Sequence, residues 1–204
     1  MLRLLSPITG GVIIVTGIII LAQLTQFNRV LIYYFALWPI SGNPFEPSFR
    51  PWQILTYSFL HGGLAHFFLN MFALFMFGGE LERFLGSKRI LNLYIVSVIG
   101  AGLVQLMVAS NSGPSSYPTI GASGGVFGLL LAYAMYFPRR RILLLFPPIP
   151  MPAWLFVTIY GIVELLLGVT GTMAGVAHFA HLGGMVGAWF LIRFWRGQLP
   201  FGRH

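Results

Sequence analysis

The 204-residue chain has no cysteine, no aspartate, and only four acidic residues in all. The missing cysteines exclude disulfides and thiolate metal sites, and leave the redox compartment open. Charge of either sign is scarce: 8% of residues are charged, whereas a soluble domain carries roughly 25%. A water-facing surface cannot be assembled from so few charges. What is present is apolar, with 57% hydrophobic residues, 16% aromatics and a mean hydropathy of +0.83. The composition is that of an integral membrane protein.

Apolar runs near the ~17 to 25 residues that cross a bilayer lie at Ile8 to Leu24, Leu64 to Phe84, Ile90 to Ala109, Gly121 to Phe137, Met151 to Gly168 and Ala177 to Trp195. The expectation is an all-α bundle of six transmembrane helices in a single membrane domain over residues 1–204. Gln23 to Arg29 is bulky and polar and offers no small-residue cleavage site, so the first run is expected to be retained as a helix and not removed as a signal.

The net charge of +8 does not imply a nucleic-acid partner, because the basic residues flank the apolar runs. With the N-terminus inside, ten of the twelve basic residues fall on the cytoplasmic side (Arg3, Arg83, Lys88, Arg89, Arg139, Arg140, Arg141, Arg193, Arg196, Arg203) and two, Arg29 and Arg50, outside. Both termini are therefore expected in the cytoplasm.

Between the first two runs, Gln26 to Gly63 is rich in aromatics (Tyr33, Tyr34, Phe35, Trp38, Phe45, Phe49, Trp52) and broken by Pro and Gly. Such a segment favours the headgroup layer and is expected to lie partly submerged beside the bundle, or else to serve as an interfacial anchor belt. Ser110 to Ile120 reads as an external link, and Pro138 to Pro152 as a basic, proline-rich cytoplasmic one. No internal repeat is visible, which argues against an inverted-repeat transporter.

Polar groups inside spans are costly and point to function. His66 and Asn70 lie in the first two turns of the second run, Ser123 opens the fourth, and His181 lies about one turn into the sixth. These three runs all start outside, so at ~1.5 Å per residue the four side chains share the outer leaflet. His66 and Asn70, four apart, share a helix face. Small residues at the same spacing (Gly121 and Gly125, Gly124 and Gly128, Gly184 and Ala188) allow helices close enough for a short serine side chain to reach an imidazole.

Each residue alone has a plainer role: Ser123 as a helix cap or packing residue, His66 as a hydrogen-bonded core histidine, His61 and His178 as interfacial groups. Gly121-Ala122-Ser123-Gly124-Gly125 also fits the nucleophile elbow of soluble hydrolases, but that motif needs a preceding strand. A metal or haem site could draw on His61, His66, His178 and His181, although no carboxylate accompanies them in the sequence.

Gly121-Ala122-Ser123-Gly124 with Gly128, Ala180-His181 with Gly184, and His61, His66 and Asn70 spaced five and four apart together resemble the rhomboid family of intramembrane serine proteases. The similarity runs from about Trp52 to Ala188, and Glu82 and Gly86 look like the cytoplasmic end of that family's second helix. The resemblance implies Ser123 as nucleophile and His181 as general base. It further implies His66, Asn70 and the Ser123 N–H as oxyanion donors, with Gly121, Gly124, Phe127, His178 and Gly184 in support. It implies no metal or cofactor, transmembrane proteins as substrates entering laterally past the fifth span, and a bilayer, expected to be a prokaryotic cytoplasmic membrane. The competing expectation is a catalytically inactive relative that binds transmembrane clients. Two departures stand out: the family's external Trp-Arg pair reads Trp52-Gln53, and Phe127 stands where some members carry tyrosine. Glu164 is the one carboxylate inside a span. Because the family works as a dyad, it is expected to be a packing or gating hydrogen-bond partner.

Overall fold

The computed structural model describes residues 6–40, 47–111, 117–143, 149–172 and 176–198. Among these, apolar helices stand at all six expected positions. The first is α1 (Pro7–Gln23). A short amphipathic helix α2 (Asn28–Phe35) and a single turn α3 (Gln53–Thr56) follow in the aromatic segment between the first two spans. The second span is α4 (Leu64–Ala73), continued through a π-helical turn (Leu74–Gly78) into α5 (Gly79–Leu85). Then come α6 (Ser87–Asn111), α7 (Ser123–Tyr136), α8 (Ala153–Thr170) and α9 (His178–Trp195). Leu64–Leu85, α6 and α8 are long and apolar enough by themselves to cross a membrane. The link between α7 and α8 contains a feature that the all-helical expectation lacks: an antiparallel ribbon of β1 (Arg141–Leu143) and β2 (Pro150–Pro152). Arg3, Phe45, Glu46 and Arg203 lie outside the described residues.

The centre of the bundle is a three-helix contact of α6, α7 and α9 made by missing side chains. A Cβ on Gly184 would run into the backbone of Gly124, and one on Gly128 into Ser97 of α6. A Cβ on Gly100 would lie 2.7 Å from the Gly183 carbonyl, and one on Gly183 the same distance from that of Gly100. Backbones this close exchange dispersion contacts along their whole crossing, which is what holds helices together where lipid is as apolar as the interface. Outward faces carry the apolar surface: Ile18, Leu21, Leu166 and Val169 are exposed to the hydrocarbon.

Polar anchors fix both ends. At the end of the bundle where α1 begins, the Glu82 carboxylate accepts from the Ile8 and Thr9 N–H groups, both at 2.9 Å, and from the Thr9 hydroxyl at 2.8 Å. It thus satisfies orphan donors at the start of α1 with a favourable dipole. Ser87 adds a fourth bond at 2.8 Å. Arg140 pairs with Glu80, which also accepts from Tyr133 at 2.9 Å.

At the other end, the aromatic segment does more than lie beside the bundle. Tyr57, in a 3-10 turn after α3, is 1% exposed and donates to the Val98 carbonyl of α6 at 2.9 Å. Leu37 and Thr119 exchange backbone hydrogen bonds at 3.0 and 2.9 Å. Gln53, in place of the family's arginine, is fully buried. Its side-chain carbonyl accepts from the Trp38 and Arg50 N–H groups, and its amide donates to the Tyr34 carbonyl. A neutral amide makes these three bonds without burying a charge. Arg50 instead lies on the aromatic rings of Tyr34, Tyr33 and Trp52 at 4.8, 5.2 and 5.8 Å.

Candidate active site

Ser123 is the first residue of α7, preceded by Gly121 at φ 130°. That left-handed conformation suits glycine, and a Cβ there would also come within 2.9 Å of the His66 ring. The Gly121 N–H donates to the Tyr57 carbonyl at 3.0 Å, so the buried turn after α3 helps set where α7 begins. The helix is 14 residues long, or about 21 Å at 1.5 Å per residue, against a hydrocarbon core of about 30 Å. A helix this short does not span the core unaided, and its far end is tied by the Tyr133 hydroxyl, which donates to Glu80 at 2.9 Å.

His181 meets it from α9. The His181 Nε2 and Ser123 Oγ are 2.8 Å apart. Phe127, one turn below the serine, stacks on the imidazole with centroids 4.2 Å apart and planes within 5°, which is the contact left open to a residue lacking a phenol. The pair opens into a cavity of about 870 Å³ walled by α4 on one side and α8 on the other.

His66 and Asn70 line the same cavity. The Gly62 N–H donates to His66 Nδ1 at 3.3 Å, so the neutral ring carries its proton on Nε2, a hydrogen-bond donor. Asn70 spends one amide N–H on the His66 carbonyl at 2.9 Å and keeps a second. The Ser123 N–H, in the first turn of a helix, lacks an intrahelical acceptor. Four donor and acceptor groups expected from the sequence are thus brought to one cavity.

His61 is buried beside the site, edge-on to His66 and Phe67 at 5.0 and 5.6 Å. Burial, helped by the neighbouring His66, lowers its pKa to about 4 against the opposing pull of the Phe59 carbonyl, so it stays neutral.

One sequence expectation needs correcting: a carboxylate does accompany the histidines. Glu164 of α8 is buried, and its Oε2 lies 2.9 Å from His181 Nδ1 and 2.7 Å from His178 Nδ1. The spacings of 14 and 17 residues across a helix connection give no sequence signal for this meeting. The ligand atoms of Glu164, His178 and His181 lie within 4.8 Å of one another and could hold a metal ion. A cation there would displace both imidazole bonds to the carboxylate while leaving His181 Nε2 on the serine. The run of small residues also reaches further than Gly184 and Ala188: Gly183 and Gly187 pack against α6, a pairing visible in principle from their own four-residue spacing.

A serine and a histidine at hydrogen-bond distance beside a cavity inside a polytopic helical bundle have the geometry that nucleophile and base chemistry requires. Residues 48–197 match the rhomboid domain, and the chain belongs to the rhomboid family. It is 34% identical over 140 residues to the mitochondrial rhomboid protein 1 of Saccharomyces cerevisiae, covering 65% of this chain and 38% of that one. It is likewise 34% identical over 141 residues to RHOMBOID-like protein 4 of Arabidopsis thaliana, covering 69% and 33%. With the rhomboid protease GluP of Bacillus subtilis it shares 30% over 141 residues, covering 68% and 25%. The matched region is thus well under half of these relatives' lengths.

Proposed function

We propose that this chain is an intramembrane serine endopeptidase that cleaves transmembrane segments of other membrane proteins. The observation that carries this is the 2.8 Å contact between His181 Nε2 and Ser123 Oγ inside a cavity within the bundle. Ser123 Oγ attacks the scissile carbonyl carbon as its proton passes to His181 Nε2. The oxyanion is held by the Ser123 N–H, His66 Nε2–H and the second Asn70 N–H. Collapse of the intermediate breaks the C–N bond, His181 returns the proton to the leaving amine, and water hydrolyses the acyl-enzyme by the same steps. No metal or cofactor takes part.

The substrate helix enters from the bilayer past α8, whose apolar window is 22% buried, against 39% for the other two long spans. The whole chain acts as one rhomboid-like membrane domain with both termini cytoplasmic. The distribution of arginines suits the cytoplasmic (inner) membrane of a prokaryotic cell.

Purified protein in detergent, given a model transmembrane substrate, is the direct test. Cleavage should persist in strong chelator and vanish in Ser123→Ala and His181→Ala, and a fluorophosphonate should label Ser123. Cleavage by the Ser123→Ala protein would reject the assignment. A folded wild type that neither cleaves nor labels would instead favour a client-binding relative without catalysis.

A further inference from the structure

We propose that Glu164 is a positioning residue for this reaction: its carboxylate selects the base-competent tautomer and orientation of His181, extending the Ser–His pair to a Ser–His–Glu chain. This rests on the protease reading above. One carboxylate oxygen faces two ring nitrogens, His181 Nδ1 at 2.9 Å and His178 Nδ1 at 2.7 Å. A protonated carboxyl would have to donate to one ring and accept from the other, in two unlike contacts; two like contacts on one oxygen suit a carboxylate that accepts from an Nδ1–H of each ring. A neutral imidazole protonated at Nδ1 has its lone pair on Nε2. That is the atom 2.8 Å from Ser123 Oγ, so the serine hydroxyl is left with an acceptor and not a competing donor.

Phe127 cannot make this choice. Stacking at 4.2 Å fixes the plane of the ring but is indifferent to a half-turn about Cβ–Cγ or to which nitrogen holds the proton. The carboxylate breaks both degeneracies, because a turned ring would present carbon to it. Once the serine proton has moved to Nε2, the imidazolium also finds a negative charge already at hydrogen-bond distance in a buried setting, where such a pair counts most.

His178 completes the arrangement. A lone carboxylate within a span is costly, and a second N–H donor on the same oxygen, at 2.7 Å, gives it a further partner and fixes its aim. The titratable groups around His181 come from three helices: Glu164 on α8, His178 one turn earlier on α9, and His66 on α4.

The test uses full-length protein, labelled with 15N-histidine, in detergent micelles. NMR should show the wild-type His181 ring protonated at Nδ1, its resonances assigned by their loss in His181→Ala. Glu164→Ala should lose that Nδ1–H signature and lower kcat by ~100-fold or more, towards the ~10,000-fold seen when a serine protease histidine is left in the wrong tautomer. KM should change by less than about threefold, since binding is untouched. Glu164→Gln keeps an acceptor carbonyl and the side-chain volume but no charge, and should retain the tautomer with a kcat between the other two. His178→Ala should be milder than Glu164→Ala.

A wild-type His181 protonated at Nε2, or a Glu164→Ala protein within about threefold of wild-type kcat, would overturn the proposal. Failure of the wild type to cleave or to label at Ser123 would sink the protease reading itself. The NMR tautomer would then still decide whether Glu164 orients His181.

Discussion

Ser123 and His181 could be singled out in the sequence only in combination, since a span hydroxyl by itself has plain structural uses, as Thr16 and Ser97 show by bonding to carbonyls of their own helices. The proposed oxyanion donors are the residues whose loss should hurt turnover while sparing the fold. Removing one preorganised donor typically costs ~100 to 1,000-fold in rate. Asn70→Ala and His66→Ala should therefore slow substrate cleavage by that order while still permitting labelling of Ser123 by a reactive fluorophosphonate. Wild-type rates in both would locate the hole elsewhere.

His61, outside the spanning helices, has a different signature. Its folded-state pKa of about 4 lies below the ordinary histidine value of 6.5, so the unfolded chain takes up the proton first as the medium is acidified. The stability it contributes is complete above pH 6.5 and is lost as pH falls towards 4. That shift is worth at most roughly 3 kcal/mol. Thermal unfolding in detergent should show a shallower acid decline in His61→Phe than in the wild type. An identical decline would mean that other groups govern it.

At the scale of the helix, glycine is read by what a Cβ would strike. Gly184→Ala puts a methyl into the backbone of Gly124, and overpacking of this kind costs ~1 to 3 kcal/mol or more. Gly11, in α1, has nothing within 4 Å of where a methyl would sit, so Gly11→Ala should be close to neutral. Measuring both by thermal unfolding checks that the α7 and α9 contact is a close crossing and not a loose one. Equal melting temperatures would contradict it. The Glu82 clamp belongs to the same scale. Glu82→Ala strands the Ile8 and Thr9 N–H groups and should lower stability by about 1 to 3 kcal/mol, with activity per folded molecule little changed.

For the whole molecule, orientation is the property on which everything else depends, since an outer-leaflet site is only outer if the N-terminus is inside. The cysteine-free background makes labelling clean. A cysteine at Ser48, exposed in the aromatic segment, should react with an impermeant maleimide from the external side, and one at exposed Arg139 only after the membrane is opened. The reverse pattern would invert the bundle and move the site to the opposite leaflet. The serine opens into the cavity lined by α4, α7 and α8, so the labelling pattern also tells from which side of the membrane water would have to enter it.

Composition and pattern alone determined the membrane class, the helix positions and the common level of His66, Asn70, Ser123 and His181 along their helices, and they set the expectation for orientation. Each of these follows from hydropathy, charge and rise per residue along one chain. Only the tertiary structure decided what meets what. Glu164 reaches His181 from another helix, Gln53 replaces a charged side chain by three neutral bonds, and Tyr57 plugs the bundle from a segment read as interfacial. The rotation of one helix about its axis relative to the next depends on which glycines let backbones touch. That is a property of two surfaces together, which neither sequence segment carries alone.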